Sequence, residues 1–160
     1  MSDTQLVFVY GTLKKGEPNH EWMSEWEAGS FSFVGCGKTA LKFPLVIASR
    51  YNIPFVLDRP GLGHNVAGEI YKIDSAMMNR LDELEDYPIF YNRKQTLIHL
   101  NDGTEQMCWM YIIEKFRDDL LQLPFLEDYS AQGTHGLVYC ERLMRDNPQE
   151  YSVINDIQGN

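Results

Sequence analysis

The hydrophobic pattern of the chain begins with an unbroken apolar run from Leu6 to Tyr10 that is rich in β-branched and aromatic residues. Such a run is typical of a strand buried on both faces, so we predict a strand at the centre of a sheet or barrel. The run stops at Gly11, where the backbone is free to turn sharply.

Shorter apolar segments predict further strands at residues 45–48, 55–57, 66–73, 91–100 and 106–113, with Phe31 and Phe33 alternating in another. Residues 101–104 have the composition of a hairpin turn. Helices are predicted at residues 19–26 and 75–85, each beginning at a residue suited to capping. Many short strands and few helices predict an α+β fold, a small and mostly antiparallel barrel or sheet with helices outside.

The composition is that of a soluble globular protein, with 44% hydrophobic and 23% charged residues in a chain of 160. We expect one domain over residues 1–145, followed by a loose polar tail over residues 146–160. A net charge of −9 argues against a general nucleic-acid binder, because the phosphate backbone requires basic patches.

The three cysteines are widely spaced and predict no disulfide framework, which fits a reducing, cytosolic compartment. We expect no secretory signal, because the first residues lack a basic region and an apolar core. No apolar run approaches the roughly 20 residues needed to span a bilayer, so we expect no membrane partner.

The turn after the first strand is one candidate site. A central strand that opens into a tight turn can direct consecutive backbone N–H groups at one point, which favours an anion or a developing oxyanion. An ordinary first strand that ends in an ordinary turn explains the same residues.

The second candidate is Glu85, at the end of the predicted helix over residues 75–85. Helical geometry places Met77, Leu81 and Leu84 on one apolar side and Asp82 on the opposite, solvent-facing side. Glu85 shares the apolar side, where burial and the negative end of the helix dipole would raise its pKa and suit it to proton transfer. Two alternatives remain open.

In the first alternative, Glu85 lies at the rim of the core and merely contacts water, with Lys72 or Arg93 as an optional partner. In the second, Glu69 in the strand over residues 66–73 is the inward-facing acid.

Other chemistries lack their motifs. Glu17 and Pro18 occupy the key positions of a phosphate loop, and the four histidines form no metal-binding spacing. There is no GxSxG nucleophile motif either, and we expect no metal.

Residues 9–16, with Pro18, Asn19 and His20 after them, resemble the opening of the gamma-glutamylamine cyclotransferases, within the wider gamma-glutamyl cyclotransferase-like, or AIG2-like, group. The resemblance continues through residues 43–47, 51–54, 68–71, 81–85, 123–124, 129–130 and 136–137. It therefore covers nearly the whole chain up to about Tyr139. Residues Asp86 and Tyr87, and the chain after Cys140, depart from the family pattern.

This resemblance implies a compact, mixed but mostly antiparallel β-barrel flanked by a few helices. It also implies that Tyr10, Gly11, Thr12 and Leu13 line a γ-glutamyl site and that Glu85 is the catalytic acid/base. The implied reaction converts γ-glutamylamines such as ε-(L-γ-glutamyl)-L-lysine to 5-oxoproline and a free amine, without a cofactor. The alternatives are cyclisation of γ-glutamyl-amino acids or glutathione, and a non-catalytic ligand-binding protein on the same fold.

Overall fold

The computed structural model describes residues 4–21, 30–131, 133, 135–137, 139–140 and 153–158. Its strands are β1 (Thr4–Val9), β2 (Phe31–Phe43), β3 (Leu45–Ala48), β4 (Ile53–Val56), β5 (His64–Asp74), β6 (Asn92–Leu100) and β7 (Glu105–Ile112). Its α-helices are α1 (Ser75–Leu84) and α2 (Val153–Gln158), with a 3₁₀ helix at Asp118–Gln122. The helix predicted over residues 19–26 lies mostly outside the described residues.

Five strands close into a barrel in the order β1-β5-β2-β6-β7. All neighbouring pairs are antiparallel except β1 and β7, which are parallel and close the barrel. The α+β fold class and the mixed, mostly antiparallel barrel are therefore confirmed. Val7, Phe8 and Val9 are buried, as an apolar run on a central strand predicts.

A separate two-stranded sheet of β3 and β4 lies beside the barrel. The amide of Ile113, just after β7, donates to the carbonyl of Val56, and the amide of Asp58 donates to Ile113. These bonds hold β4 against the end of β7. They also bring Pro54 next to Gly11, since a β-carbon added to Gly11 would lie 3.0 Å from the Pro54 Cγ atom.

Helix α1 begins at Asp74, whose carboxylate accepts a hydrogen bond from the Met77 amide at 2.9 Å. Hydrogen bonds from Asp86 to the Glu83 carbonyl and from Tyr87 to the Asp82 carbonyl end the helix. This pair of bonds is the Schellman pattern, and it requires a left-handed residue, which is Asp86 with φ of +54°. Glu85 is therefore the last residue before the chain turns.

The expectation of a loose tail is wrong for residues 153–158, which form helix α2. The Ile157 side chain is fully buried in the core, and its carbonyl accepts a hydrogen bond from the Arg117 amide. An apolar residue within a polar segment supplies the burial that holds this helix.

The domain division at residue 145 stays a prediction. Among the described residues, no helix is both long enough and apolar enough to cross a membrane.

Candidate active site

A cavity of about 290 Å³ opens between the turn that follows β1 and the C-terminal end of α1. The lining residues come from β1 and the turn that follows it (residues 10–13, the β1 turn), from β4, the end of α1, the segment between α1 and β6, and β7, and from single residues elsewhere. They are Phe8, Val9, Tyr10, Gly11, Thr12, Leu13, Asn19, Ile53, Pro54, Phe55, Leu84, Glu85, Asp86, Phe90, Tyr91, Tyr111 and Tyr139.

The β1 turn is folded by two backbone hydrogen bonds. The Lys14 amide donates to the Gly11 carbonyl at 3.1 Å, and the Asn19 amide donates to the Thr12 carbonyl at 2.8 Å. Both bonds use carbonyls of the motif as acceptors, so neither occupies the amides of Gly11, Thr12 or Leu13. A turn whose N–H groups converge on one point suits binding of an anion or a carbonyl oxygen.

Asn19 ties this turn to a distant loop. Its side-chain amide donates to the Thr12 hydroxyl at 2.9 Å and to the Tyr139 hydroxyl at 2.8 Å. Asn19 is buried, so these bonds satisfy polar atoms that would otherwise be costly to bury. The side chain thereby fixes the wall of the cavity on which Thr12 lies.

A second tie comes from Lys14, which is buried although its ammonium is charged. Its Nζ atom donates to the Asp128 carboxylate at 2.6 Å and to the Tyr129 carbonyl. The Ala131 amide donates to the Glu17 carboxylate at 2.7 Å. These bonds hold the loop around residues 126–131 against the β1 turn.

Glu85 is half-buried and lines the same cavity as Tyr10, Gly11, Thr12 and Leu13. Burial, together with the nearby negative charge of Glu85, raises the pKa of the Tyr10 phenol well above its usual value. The Tyr10 hydroxyl donates to the Tyr111 carbonyl at 2.7 Å, which joins the end of β1 to β7. The structure thus brings all five predicted site residues together, while their roles stay predictions.

Glu69, the other candidate acid, is not among the residues that line this cavity. Its carboxylate accepts hydrogen bonds from the Lys15 amide and the Tyr71 hydroxyl, both at 2.8 Å. Burial and the hydrogen bond to Glu69 raise the pKa of the Tyr71 phenol. Glu69 therefore braces the outside of the β1 turn.

The prediction that Asp82 faces solvent is wrong. Its side chain is only 18% exposed and pairs with Arg93, with Nε–Oδ1 and Nη2–Oδ2 distances of 2.9 and 3.2 Å. The Tyr111 hydroxyl also donates to Asp82 at 2.7 Å. Helical periodicity could not reveal this, because both partners come from the barrel. Arg93, one of the two cations considered as partners of Glu85, thus binds Asp82.

Sequence reasoning missed the aromatic wall of the cavity, formed by Phe55, Phe90, Tyr91 and Tyr111. Their rings pack in sequence, with centroids of Phe55 and Tyr91 5.9 Å apart and those of Tyr91 and Tyr111 6.4 Å apart. Phe55, the adjacent Phe90 and Tyr91, and Tyr111 lie in three separate parts of the chain, so only the folded chain assembles the wall. This wall gives the cavity an apolar side opposite the polar turn.

No group of three or more His, Cys, Asp or Glu side chains suited to a metal ion occurs in the described part of the chain. Among the described residues, Cys36, Cys108 and Cys140 form no disulfide bond. Burial raises the pKa of the Cys108 thiol to about 11, which makes it a poor nucleophile near neutral pH.

Residues 7–131 match the family described as "Gamma-glutamyl cyclotransferase, AIG2-like". A gamma-glutamylaminecyclotransferase from Mus musculus is 41% identical over 143 residues, covering 85% of this chain and 96% of the relative. The Troponin C-akin-1 protein of Drosophila melanogaster is 37% identical over 154 residues, covering 96% of this chain and 92% of the relative. The crystal structure of an AIG2-like protein from Mus musculus superimposes with a TM-score of 0.83 at 40% identity, covering 93% of this chain and 99% of that chain.

Proposed function

This chain belongs to the gamma-glutamyl cyclotransferase, AIG2-like family, and we propose that it converts L-γ-glutamylamines to 5-oxoproline and the free amine. Family membership makes the chain a cyclotransferase. The preferred substrate proposed here is ε-(L-γ-glutamyl)-L-lysine, and the reaction is an intramolecular aminolysis. The observation that supports the proposal most directly is that the β1 turn and Glu85 line the same cavity.

The reaction joins two groups of one molecule. The α-nitrogen of the γ-glutamyl group attacks its own γ-carbonyl carbon, a five-membered lactam forms, and the bond to the leaving amine breaks. No electrons are transferred to or from the substrate, and no water is consumed. The first task of the protein is therefore to hold the flexible chain in its folded conformer, and a small cavity with an aromatic wall suits that task.

We assign proton transfer to Glu85. The α-nitrogen loses two protons between the ammonium and the lactam, and the departing nitrogen gains two when it leaves as an ammonium. A single carboxylate beside both nitrogens can accept each proton and pass it on. The position of Glu85 at the end of α1, on the wall of the cavity, supports this role.

We assign stabilisation of the carbonyl oxygen to the amides of residues 11–13. This oxygen gains negative charge as the α-nitrogen attacks, and a well-placed N–H donor is typically worth about 3 kcal/mol. The hydrogen bonds that fold the turn use its carbonyls as acceptors, and Gly11, Thr12 and Leu13 line the cavity. The substrate α-carboxylate would also find donors on this wall.

Two observations support an amine leaving group of the lysine type. The mouse relative is named a gamma-glutamylaminecyclotransferase. In this chain, the exposed Asp86 lies on the cavity lining next to Glu85, and its carboxylate would attract a leaving group that carries its own cationic amine. The three cysteines, which form no disulfide among the described residues, fit a reducing compartment, and we propose a cytosolic location.

A substrate panel tests the proposal. Purified protein is incubated with γ-glutamyl-ε-lysine, γ-glutamyl-butylamine, γ-glutamyl-alanine and glutathione, and 5-oxoproline and free amine are followed by mass spectrometry. We expect equal amounts of 5-oxoproline and lysine from the first compound, at the highest rate of the four. Faster turnover of γ-glutamyl-alanine or glutathione would replace the proposed substrate class. Binding of 5-oxoproline without any turnover would indicate a ligand-binding protein.

A further inference from the structure

A continuous set of charged and polar contacts runs from the cavity into the barrel wall. Tyr111, which lines the cavity, donates its hydroxyl proton to the Asp82 carboxylate, and Asp82 binds the Arg93 guanidinium through both oxygens. Arg93 and Tyr111 are cross-strand partners on β6 and β7, and their side chains meet the same carboxylate on α1. One ionic contact thus joins three elements.

The ion pair between Asp82 and Arg93 lies in a largely buried environment that includes two aromatic rings. The Arg93 guanidinium lies between two aromatic rings, 4.6 Å from the centroids of both Tyr87 and Trp109. The Asp82 and Arg93 side chains are only 18% and 17% exposed. Burial by itself lowers the pKa of Arg93, but the hydrogen bonds and charge of Asp82 outweigh that effect and raise it. The guanidinium therefore stays charged, and the bidentate geometry is one that lysine cannot reproduce.

Arg93 contacts the chain on both sides of Glu85. Asp82 precedes Glu85 by one helical turn, and Tyr87 follows it by two residues. The Tyr87 amide also donates to the Asp82 carbonyl in the bond that ends α1. A guanidinium that contacts both Asp82 and Tyr87 restricts where Glu85, the residue just after α1, can lie.

The same network sets the orientation of Tyr111. The Tyr111 hydroxyl proton is directed at the Asp82 carboxylate. Among the described residues, the only other acceptor in contact with this hydroxyl is the Met78 sulfur at 3.7 Å. Burial, the bond to Asp82 and the charges of Asp82 and Glu85 all raise the pKa of this phenol. Tyr111 thus stays neutral and held in one orientation on the cavity wall.

From these contacts we infer that Asp82 and Arg93 are positioning residues of the active site, acting through Tyr111 and through the last turn of α1 on Glu85. This inference rests on the proposed function. The two residues need not touch the substrate. Their contribution is to keep the carboxylate and the phenol within the distance that proton transfer and ring closure require, where a misplacement of about 1 Å is costly.

The chain offers a matched control pair. Lys94 follows Arg93 on β6 and binds Asp58 at 2.7 Å, with the two side chains 36% and 26% exposed. The Lys94 ammonium also lies 5.4 Å from the centroid of the Phe43 ring. Neither Lys94 nor Asp58 lines the cavity, so this pair resembles the first in chemistry and strand but lacks the connection to the site.

The test measures kcat, KM, melting temperature and 5-oxoproline affinity for Asp82→Asn, Arg93→Lys, Tyr111→Phe, Asp82→Asn/Tyr111→Phe and Asp58→Asn. We expect Asp82→Asn to lower kcat per folded molecule by about 10–100-fold with KM within about 3-fold. Arg93→Lys should fall between Asp82→Asn and wild type. Because Asp82 and Tyr111 act together, the double variant should be within about 3-fold of the slower single variant. Asp58→Asn should keep both constants within about 2-fold of wild type.

Two results would overturn the inference while wild type remains active. One is a lower melting temperature in Asp82→Asn with an unchanged kcat per folded molecule, which marks a merely structural pair. The other is a double variant whose loss equals the product of the single losses. A folded wild-type protein that binds 5-oxoproline but turns over none of the substrates would instead overturn the proposed function, and this assignment with it.

Discussion

The two walls of the cavity are made in different ways. The β1 turn presents backbone groups, and its shape depends on hydrogen bonds from Lys14 and Asn19, which lie within nine residues along the chain. The end of α1 presents side chains, Glu85 and Asp86, and the contacts around them come from distant strands. The hydrogen bonds that fold the turn are therefore local, although the distant Asp128 and Tyr139 hold it in place, whereas the side-chain chemistry depends throughout on partners that only the fold brings near.

The largest effect is expected on the side-chain wall, from Glu85→Gln. The substitution preserves the shape of the side chain and removes the proton-accepting group, so kcat should fall by about 10²–10⁴-fold. The measurement is the rate of 5-oxoproline formation from γ-glutamyl-ε-lysine. The control is Glu83→Gln, an exposed glutamate on the same helix that does not line the cavity. Equal rates for Glu85→Gln and wild type would show that Glu85, at the end of the helix, does not carry out the proton transfer.

On the backbone wall, Gly11→Ala is the corresponding change, and we expect a smaller loss. The new β-carbon would lie 3.0 Å from the Pro54 Cγ atom, so the turn or β4 must shift by a few tenths of an ångström. Displaced amides should lower kcat/KM by about 10–100-fold while the protein stays folded.

Gly35→Ala is the control for this change, because its β-carbon meets the Leu100 Cδ2 atom at a similar 3.1 Å but lies away from the cavity. It should keep kcat/KM within about 2-fold of wild type. If both alanine variants lose activity equally, general crowding of the barrel explains the loss, and the backbone wall has no specific role.

A finer comparison concerns selectivity, which we attribute to Asp86 rather than to the turn. Asp86→Asn removes the charge, and asparagine tolerates the left-handed conformation that Asp86 adopts. The preference for γ-glutamyl-ε-lysine over γ-glutamyl-butylamine should fall by about 2–5-fold, the range of an exposed ionic contact. Asp118→Asn removes an exposed charge far from the cavity lining and should not alter this ratio. An unchanged ratio in Asp86→Asn would assign selectivity elsewhere.

The smallest effect is expected from alkaline pH, because the tyrosines that connect the walls resist ionisation. Burial and nearby carboxylates raise the pKa of both Tyr10 and Tyr111 in the folded protein. Their contribution to stability is therefore complete below the unfolded tyrosine pKa of about 10 and is lost as pH rises above it. Difference ultraviolet titrations of wild type against Tyr10→Phe and Tyr111→Phe should show no tyrosinate signal from either residue up to about pH 11, where an ordinary tyrosine with a pKa of about 10 is mostly ionised. A signal from either one at lower pH would contradict this.

The local features of the molecule were predictable from the sequence. The apolar run Leu6 to Tyr10 identified the central strand, and the change at Gly11 identified the turn. Helical periodicity placed Glu85 on the inner side of α1, one residue beyond the end of the helix. Each of these features depends on neighbours within a few residues, which is what a pattern in the chain can reveal.

The remaining features depend on contacts between distant residues. The same periodicity that found Glu85 predicted a solvent-facing Asp82, yet Arg93 and Tyr111 reach it from the barrel. The aromatic wall joins rings from positions as far apart as Phe55 and Tyr111. Ile157, within a polar segment, is buried because the fold leaves an apolar site for it. No local pattern in the sequence encodes these contacts between distant residues.

The most direct test of the account is a crystal structure of Glu85→Gln with intact γ-glutamyl-ε-lysine, which the slow variant should trap. We predict that the γ-carbonyl oxygen accepts hydrogen bonds from amides of residues 11–13 while the residue 85 side chain lies within hydrogen-bond distance of the substrate α-nitrogen. A γ-glutamyl group bound away from the turn, or a residue 85 side chain directed away from the bound substrate, would contradict the proposed active site.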